Sequence, residues 1–343
     1  MNKARKIRVL VLDDSLVFRE ALARGLAADP RLEVVAKASD AFEAKDKILE
    51  TDPDVITCDI EMPRLNGIDF IRRLLAQYPI PVIVVSGVSD AVFDAMNAGA
   101  VEFVSKPDGR SPTDMESLVN DLIAKILVAS KVQVHLRPLS AAQSKTAQTQ
   151  QFDTSKIIGI GASTGGTEAI LRILKGLPSN MPGIAVVQHI PPVFSRMFAE
   201  RLNAQTSLHV KEAENGDYLD PGCVLVAPGD KHMQLRRVGD RYRVDLFQGE
   251  RVNGHCPSVD VLFHSIAQRC ADRAVGVILT GMGHDGAQGL LDMRKSGAFT
   301  IGQDEKSCVV YGMPKAAFEL GGVEKQLGLD AIAGELVRHL IKK

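Results

Sequence analysis

The first 129 residues alternate between short apolar runs and longer segments with helical periodicity. The apolar runs, rich in β-branched residues, lie at 7–14, 32–39, 54–60, 81–87 and 101–107. Helical patterns such as 15–28 and 66–78 fill the intervals. Strands that alternate with helices predict βα units around an open, doubly wound parallel sheet. Because such sheets bind ligands at the carboxyl ends of their strands, we expect the chemistry of this half there.

The periodicity stops at residues 130–155, where Gln, Ser and Thr predominate, and this tract predicts an exposed linker. Alternation then resumes. The predicted strands lie at 157–163, 184–190, 223–228, 242–247 and 275–281, and the predicted helices at 167–177, 191–205, 258–271 and beyond 285. The second half is therefore also predicted to be α/β, with domains at 1–129 and 156–343 joined by the linker.

Composition narrows the classes of function. The chain of 343 residues is 45% apolar with a net charge of −1, and residues 1–129 carry 16 basic against 21 acidic residues. This balance argues against a DNA-binding regulator or any general nucleic-acid binder. Five cysteines without a CxxC pair predict a reduced, cytoplasmic chain. We expect no signal peptide and no membrane insertion, because no apolar run approaches about 18 residues.

Charged and polar side chains follow the strands of the first half. Strand one ends in Asp13 and Asp14, strand three in Asp59, strand four in Ser86 and strand five in Lys106. Carboxylates gathered at one edge repel one another unless a hard cation lies among them, and Mg²⁺ suits that role. An Asp carboxylate can also act as a nucleophile and form an aspartyl phosphate.

This pattern resembles the receiver domain of two-component response regulators over residues 7–127, which implies a flavodoxin-like (βα)₅ fold. The resemblance implies that Asp59 accepts a phosphoryl group. It also implies that Asp14 and Asp59 hold Mg²⁺, with Asp13 nearby and the backbone carbonyl of Glu61 completing the site. The family's switch hydroxyl, switch aromatic and lysine correspond to Ser86, Phe103 and Lys106.

A glycine-rich turn follows the first strand of the second half, in GIGASTGG (159–166). Dinucleotide binding through GxGxxG would need Gly at 164, where Thr stands, and an acid after the next strand, which ends in Gln188 and His189. The alternative is GxSxG, which places Ser163 on a sharp turn between a strand and a helix.

A base and an acid for Ser163 stand at two further strand ends. His189 offers an imidazole, the usual base for a serine hydroxyl. Asp285, in LTGMGHDGA, offers the carboxylate that would orient it, and the Met282 N–H of the same turn is a candidate oxyanion donor. Zinc is not expected at His232, His255 and Cys256, because the chain lacks HExxH and any CxxC pair.

The stretches IGIGASTGGTEAI, VVQHIPPVF, HCPSVDVLF and LTGMGHDGA resemble the catalytic domain of the chemotaxis protein-glutamate methylesterases, the CheB family, over about 156–340. The resemblance implies an α/β doubly wound hydrolase domain without a cofactor. Its nucleophile, base and acid would be Ser163, His189 and Asp285. Thr164 and Met282 match positions beside the nucleophile and the oxyanion. His255 would line the substrate cleft, and His284 stands where Asn is frequent in the family.

Together the two resemblances imply a phosphorylation-activated serine hydrolase. It would demethylate glutamate methyl esters, and deamidate glutamines, on the cytoplasmic domains of methyl-accepting chemoreceptors. A chemotaxis histidine kinase would supply the phosphoryl group, and the chain would act at membrane receptors without entering the membrane. The alternative is a response regulator whose second half binds a nucleotide or a partner without hydrolysis.

Overall fold

The structure is a computed structural model that describes residues 5–62, 65–87, 91–107, 112–132 and 151–342. The chain divides into two units, residues 1–139 and 140–343. Most of the predicted linker lies outside the described residues, and its boundaries stay a prediction. Residues 151–153 nevertheless bond to the end of the chain, because Phe152 pairs with Ile341 and the Asp153 N–H donates to the Leu340 carbonyl.

The first unit alternates strands with helices, as predicted. In chain order the elements are β1 Ile7–Leu12, α1 Leu16–Ala27, β2 Leu32–Ala38, α2 Ala41–Thr51, β3 Val55–Cys58, α3 Gly67–Leu75, β4 Val82–Ser86, α4 Ala91–Asn97, β5 Glu102–Ser105 and α5 Pro112–Ala129. All pairs are parallel, and the strand order is β2-β1-β3-β4-β5. Every residue of β3 and β4 is buried, which is typical of a parallel sheet covered on both faces.

Short polar side chains cap the N-termini of three of these helices. The side chains of Ser15, Asp40 and Asn66 accept hydrogen bonds from the first backbone amides of α1, α2 and α3. The order of the strands reverses between β1 and β3. The chain continues from β1 to β2 on one side of the sheet, and from β3 to β4 and β5 on the other side. Such a switch point opens a crevice at the carboxyl ends of the two strands, and Asp13 and Asp59 follow those ends directly.

The second unit has a larger parallel sheet. Its elements are β6 Ile157–Ala162, α6 Gly166–Lys175, β7 Gly183–Gln188, α7 Pro192–Gln205, β8 His209–Glu212, β9 Cys223–Val226, β10 His232–Val238, β11 Arg241–Phe247, α8 Val259–Arg269, β12 Ala274–Ile278, α9 Ala287–Lys295, β13 Phe299–Gln303, α10 Met313–Glu319, β14 Lys325–Leu327 and α11 Leu329–Leu340. Seven strands form the order β14-β13-β12-β6-β7-β9-β8. The predicted α/β class with parallel sheets is confirmed for both halves.

The hairpin β10–β11 departs from the predicted pattern. The strand expected at 242–247 pairs antiparallel with β10 and stands apart from the large sheet. Alternating burial along most of β10 and β11 explains this, since Met233, Leu235 and Val244 join the apolar core, whereas the side chains that alternate with them are partly or fully exposed. These are Gln234, Arg236, Arg243 and Asp245. The reversal of strand order in the large sheet lies between β6 and β12.

Among the residues that the structure describes, every helix is too short or too polar to cross a bilayer.

Candidate active site and phosphoacceptor pocket

The first candidate site lies at the switch point of the first unit. Asp13 and Asp59 are 2% and 4% exposed, and the Lys106 ammonium lies between them, with Nζ 2.7 Å from Asp13 Oδ2 and 2.5 Å from Asp59 Oδ2. Burial alone would lower the pKa of Lys106, but the two carboxylates hold that pKa above its ordinary value. Burial raises the pKa of Asp13 despite this contact. One ammonium thus neutralises only part of the charge on two buried carboxylates.

A third carboxylate makes this pocket suitable for a hard cation. Candidate ligand oxygens of Asp13, Asp14 and Asp59 all lie within 4.8 Å of one another, and Asp14 is exposed to solvent. An all-oxygen set with an open side fits Mg²⁺, which retains several waters. The contact of Glu61 with the pocket is through its backbone N–H, which donates to Asp59 Oδ1 at 3.2 Å. The role predicted for the Glu61 carbonyl stays a prediction.

The predicted switch residues lie on the two strands beside this pocket. Ser86 ends β4 fully buried, and its Oγ has no hydrogen-bond partner among the residues that the structure describes. The Lys106 N–H donates to the Ser86 carbonyl at 2.7 Å, so both side chains leave adjacent strand ends. Phe103 is buried in β5, and its ring stands edge-on to that of Phe93 at 6.1 Å. Ser86 therefore has an unused hydroxyl beside the acidic pocket.

The second candidate site lies at the switch point of the large sheet. Ser163 occupies the turn between β6 and α6, where its N–H donates to the Thr280 carbonyl after β12 and its carbonyl accepts from the Gly166 N–H. Gly165, in the same turn, has a φ of 75°, and a Cβ there would lie 2.6 Å from Val309. The predicted sharp turn from strand to helix is therefore present, and it needs glycine at 165.

His189 leaves the strand next to that of Ser163. The register of β6 and β7 pairs Ala162 with Gln188, so the residues that follow each of them leave neighbouring strands side by side. The Gln188 Nε2 donates to the carbonyls of both Ser163 and His189, at 2.9 and 3.0 Å. This buried amide therefore ties together the two turns that carry the candidate nucleophile and base.

The two nitrogens of the His189 ring have different surroundings. Nε2 lies 2.8 Å from Asp285 Oδ2, whereas Nδ1 is buried and has no hydrogen-bond partner within the described part of the chain. An ionised Asp285 can only accept, so the neutral ring carries its proton on Nε2. Nδ1 is then the nitrogen free to accept a proton from the Ser163 hydroxyl.

Asp285 is 1% exposed and sits against the N-terminus of α8. Besides His189 it accepts hydrogen bonds from Asn253 Nδ2 at 2.9 Å, Ser258 Oγ at 2.7 Å, the Val259 N–H at 2.7 Å and the Asp260 N–H at 3.2 Å. Burial would raise the pKa of Asp285, but the hydrogen bonds from His189, Asn253 and Ser258 hold that pKa well below its usual value. The carboxylate therefore stays ionised and can orient the imidazole.

The turn after β12 lies directly against Ser163. A Cβ on Gly281 would stand 2.6 Å from the Ser163 Cβ, so this close approach requires glycine. Met282, the next residue, is 52% exposed. Thr164 is buried, and its carbonyl accepts a hydrogen bond from Thr280 Oγ1 at 2.9 Å. The structure thus brings Met282 and Thr164 to the nucleophile, while their roles at the oxyanion stay predictions.

Three positioning contacts escaped the sequence analysis: the amide of Gln188, the amide of Asn253 and the hydroxyl of Ser258. Two of them had a weak local signal, since Asn253 precedes Gly254 in a turn dipeptide and Ser258 precedes an apolar helix, whereas Gln188 had none. His284 is exposed. His255 stacks on the His189 ring, with centroids 3.7 Å apart and planes at 10°.

These geometries define a class of protein: an acidic phosphoacceptor-type pocket on one α/β unit, joined to an α/β hydrolase with Ser, His and Asp at its switch point. The family model for the response regulator receiver domain matches residues 9–134, and that for CheB methylesterase matches residues 158–336. The chain belongs to the CheB methylesterase family. Both predicted family resemblances are confirmed.

Similar proteins span almost the whole chain. The protein-glutamate methylesterase/protein-glutamine glutaminase 2 of Syntrophomonas wolfei is 54% identical over 343 residues, which is 99% of each chain. That of Syntrophotalea carbinolica is 48% identical over 349 residues, again 99% of each. The crystal structure of the Thermotoga maritima CheB methylesterase catalytic domain is 38% identical, covering 54% of this chain and 98% of that one, with a TM-score of 0.53. These matches favour the hydrolase over a non-hydrolytic output domain.

Proposed function

We propose that the chain is a phosphorylation-activated protein-glutamate methylesterase and protein-glutamine glutaminase that acts on chemoreceptors. The observation that carries this proposal is the contact of His189 Nε2 with Asp285, which leaves Nδ1 without a partner among the described residues, on the strand next to that of Ser163. The names of the full-length relatives supply the substrate class. The substrates would be glutamate methyl esters and glutamines on the helical cytoplasmic domains of methyl-accepting receptors.

In the proposed reaction, Ser163 Oγ attacks the ester carbonyl carbon while His189 Nδ1 takes the hydroxyl proton. Asp285 accepts from Nε2–H and stabilises the imidazolium that forms. The tetrahedral intermediate collapses, the proton passes from Nδ1 to the leaving oxygen, and methanol departs from the acyl-enzyme. Water then attacks the acyl carbon with His189 as base, which releases the glutamate carboxyl group and restores Ser163. A glutamine side chain follows the same steps with ammonia as the leaving group.

Negative charge develops on the carbonyl oxygen during both attacks. The backbone N–H of Met282 is the proposed donor to this oxygen, because Gly281 holds that turn against Ser163. Thr164, the residue after the nucleophile, is the second group proposed there. Loss of one such donor costs other serine hydrolases about 2.7–4 kcal/mol of transition-state stabilisation.

The first unit would control this reaction by phosphorylation of Asp59. The proposed phosphodonor is a chemotaxis histidine kinase: the carboxylate of Asp59 attacks the phosphorus, the bond from phosphorus to the kinase's histidine nitrogen breaks, and that imidazole leaves. Lys106 stabilises the charge on the phosphoryl oxygens, and the hydroxyl of Ser86, which has no partner in the described part of the chain, donates to one of them. Mg²⁺ held by Asp14 and Asp59, with Asp13 nearby, would supply further neutralisation of phosphoryl charge.

The location and partners proposed follow from the substrate. The chain would work in the cytoplasm, at the surface of membrane receptors but without entering the bilayer. Its near-neutral charge, 41 basic against 42 acidic residues, supports a role that involves no nucleic acid.

The decisive experiment measures methanol release from membranes that carry methylated chemoreceptors, with and without a small phosphodonor such as acetyl phosphate. We expect release by the full chain, a higher rate with the phosphodonor and Mg²⁺, and no release by Ser163→Ala. Ser179→Ala, at an exposed serine of the same unit, is the matched control and should keep full activity. Asp59→Asn should keep the basal rate and lose the stimulation. Equal rates for Ser163→Ala and the wild type would refute the assignment of the nucleophile.

A further inference from the structure

The turn Val252–His255 contacts both the base and the acid of the candidate triad. Two backbone hydrogen bonds of 3.0 Å close it, from the Val252 N–H to the His255 carbonyl and from the His255 N–H to the Val252 carbonyl. Its two central residues, Asn253 and Gly254, have φ values of 54° and 83°. Positive φ at both positions is the geometry that Asn-Gly favours in two-residue turns. The backbone of this turn is therefore fixed by local sequence.

The amide of Asn253 lies between two carboxylates. Its Nδ2 donates to Asp285 Oδ1 at 2.9 Å and to Asp260 Oδ2 at 2.7 Å. The other oxygen of Asp260 accepts from the Gly289 N–H on α9. Burial raises the pKa of Asp260, and the charge of Asp285 adds to that rise. A neutral group with two N–H donors is what holds two acidic side chains in place without adding charge.

The ring of His255 covers one face of the base. It lies nearly parallel to the His189 ring at 3.7 Å. Burial, together with the neighbouring His189, lowers the pKa of His255 to about 4, so this ring is neutral at pH 7. It therefore limits rotation of His189 without placing a second full charge beside the imidazolium that forms during the reaction.

We infer that the turn Val252–His255 is the element that positions the triad, Asn253 acting through Asp285 and His255 acting through His189. Neither residue is a catalytic residue, because each acts through a member of the triad. The inference rests on the proposed function for its substrate but on the described contacts for its geometry. Since residues 252–254 are exposed, substitutions there perturb the core of the unit little.

The amide is tested with two variants at position 253. Asn253→Gly keeps a backbone that tolerates positive φ and removes the donor, and we expect kcat to fall about tenfold with KM within twofold of the wild type. Asn203→Ala is the matched control: Asn203 Oδ1 accepts from the Val210 N–H at the far end of α7, and its loss should leave kcat within twofold. An Asn253→Gly variant with wild-type kcat would overturn the role of the amide.

Asn253→Asp adds a pH readout that a merely structural defect would not show. The titratable and charged groups around this position are Arg251 before the turn, His255 within it, Asp260 and His264 on α8, His189 after β7, and His284 and Asp285 after β12. Two carboxylates within hydrogen-bond distance would raise the pKa of the new acid. Its protonated form can still donate, whereas its ionised form repels Asp285.

We therefore expect kcat/KM of Asn253→Asp, taken as a ratio to the wild type at each pH between 5 and 9, to fall as pH rises. The ratio should change from within threefold at the acid end to a loss of thirtyfold or more at the basic end. A ratio that is constant across this range would overturn the proposed positioning of Asp285.

The stack is tested by rescue at position 255. His255→Ala removes the ring, and we expect kcat to fall ten- to thirtyfold, whereas His255→Phe keeps a flat ring and should stay within about threefold. The matched control is His339→Ala, because His339 also stacks on an aromatic ring, that of Phe299 at 4.1 Å, but on α11. Equal losses for His255→Ala and His255→Phe, or no loss for His255→Ala, would overturn the role of the stack.

A second readout separates this inference from the proposed function. A fluorophosphonate reagent labels an activated serine whatever the natural substrate, so its second-order rate with Ser163 reports the triad alone. Suppose that the wild type labels rapidly but releases no methanol from receptors, and that Asn253→Gly and His255→Ala label more slowly while His255→Phe labels nearly as fast. The inference then holds and the proposed substrate is wrong. If the wild type releases methanol and the variants label at the wild-type rate, the proposed function holds and the inference is wrong.

Discussion

Exchange of Asp285 for asparagine replaces one carboxylate oxygen with an NH₂ group in a site where every neighbour is a donor. The two oxygens divide these donors between them. Oδ2 accepts from His189 Nε2 and the Val259 N–H, and Oδ1 accepts from Asn253, Ser258 and the Asp260 N–H. An asparagine can satisfy only one of these two sets, so its orientation decides the effect.

In one orientation the amide oxygen faces His189, and the NH₂ group opposes the Asn253 amide and the Asp260 N–H. The buried Asp260 N–H then loses its acceptor, at about 1–3 kcal/mol, and the Asn253 amide loses one of its two acceptors, while the hydroxyl of Ser258 can turn to accept. In the other orientation only the Val259 N–H loses its acceptor, which costs about 1–3 kcal/mol. The second orientation is therefore favoured by about the value of one hydrogen bond.

The favoured orientation changes the tautomer of the base. The new NH₂ group donates to His189 Nε2, so the ring proton moves to Nδ1, the nitrogen that should accept from Ser163. The same exchange in a serine protease triad lowers kcat by about 10⁴-fold. We expect Asp285→Asn to stay folded, with the free energy of unfolding reduced by about 1–3 kcal/mol, and kcat to fall by about 10³–10⁴-fold.

Methanol release and urea denaturation measure the two effects separately. The matched control is Asp292→Asn on α9, an exposed carboxylate of the same unit that accepts from Gln288 and His264. It should change the free energy of unfolding by no more than about 0.5 kcal/mol, as is typical of surface sites, and kcat by no more than about twofold. A folded Asp285→Asn enzyme with more than a tenth of wild-type activity would refute the assigned tautomer and the role of the acid.

Three further predictions concern packing, charge and phosphorylation. Gly281→Ala should lower the free energy of unfolding by about 1–3 kcal/mol in urea and reduce kcat, because the added methyl overlaps the Ser163 side chain; unchanged stability and kcat would contradict this packing. Lys106→Met should lower the free energy of unfolding of the first unit in EDTA. Since the pKa of Lys106 is raised in the folded state, this loss should be complete below pH 10.5 and should shrink above it. A loss that grows above pH 10.5 would contradict the ion pairs assigned to Lys106. Ser86→Ala should keep the stability of the wild type and weaken the response to acetyl phosphate, whereas Thr57→Val, which removes another buried hydroxyl without a partner in the described chain, should leave that response intact; equal responses would contradict the role of the first hydroxyl.

The predicted strand ends were enough to locate both candidate sites. A strand buried on both faces must be apolar, so a run such as 54–60 is visible in the sequence, and the polar residues at its carboxyl end mark the edge of the sheet. Asp59, Ser163 and His189 were found in this way. The glycines of the turn were also visible in the sequence, because a sharp turn needs residues that tolerate positive φ. Gly165 has such a φ in the structure.

The contacts that hold the triad could not be found in this way. Asn253 and Asp285 are separated by 32 residues, so no local pattern relates them. The pairing of His189 with Asp285, across 96 residues, was predicted only because a serine nucleophile needs a base and an acid. The hairpin β10–β11 was missed because a run such as 242–247 predicts a strand but neither its partner nor its direction.

The sequence by itself determined the elements, the parallel class of both sheets and the residue types that end their strands, because these depend on local backbone preference and on burial within one segment. Only the tertiary structure decided that β6 lies between β7 and β12, which brings Ser163, His189 and Asp285 to one switch point. The physical reason is that strand order depends on packing summed over the whole apolar core, to which no single segment contributes enough to reveal it.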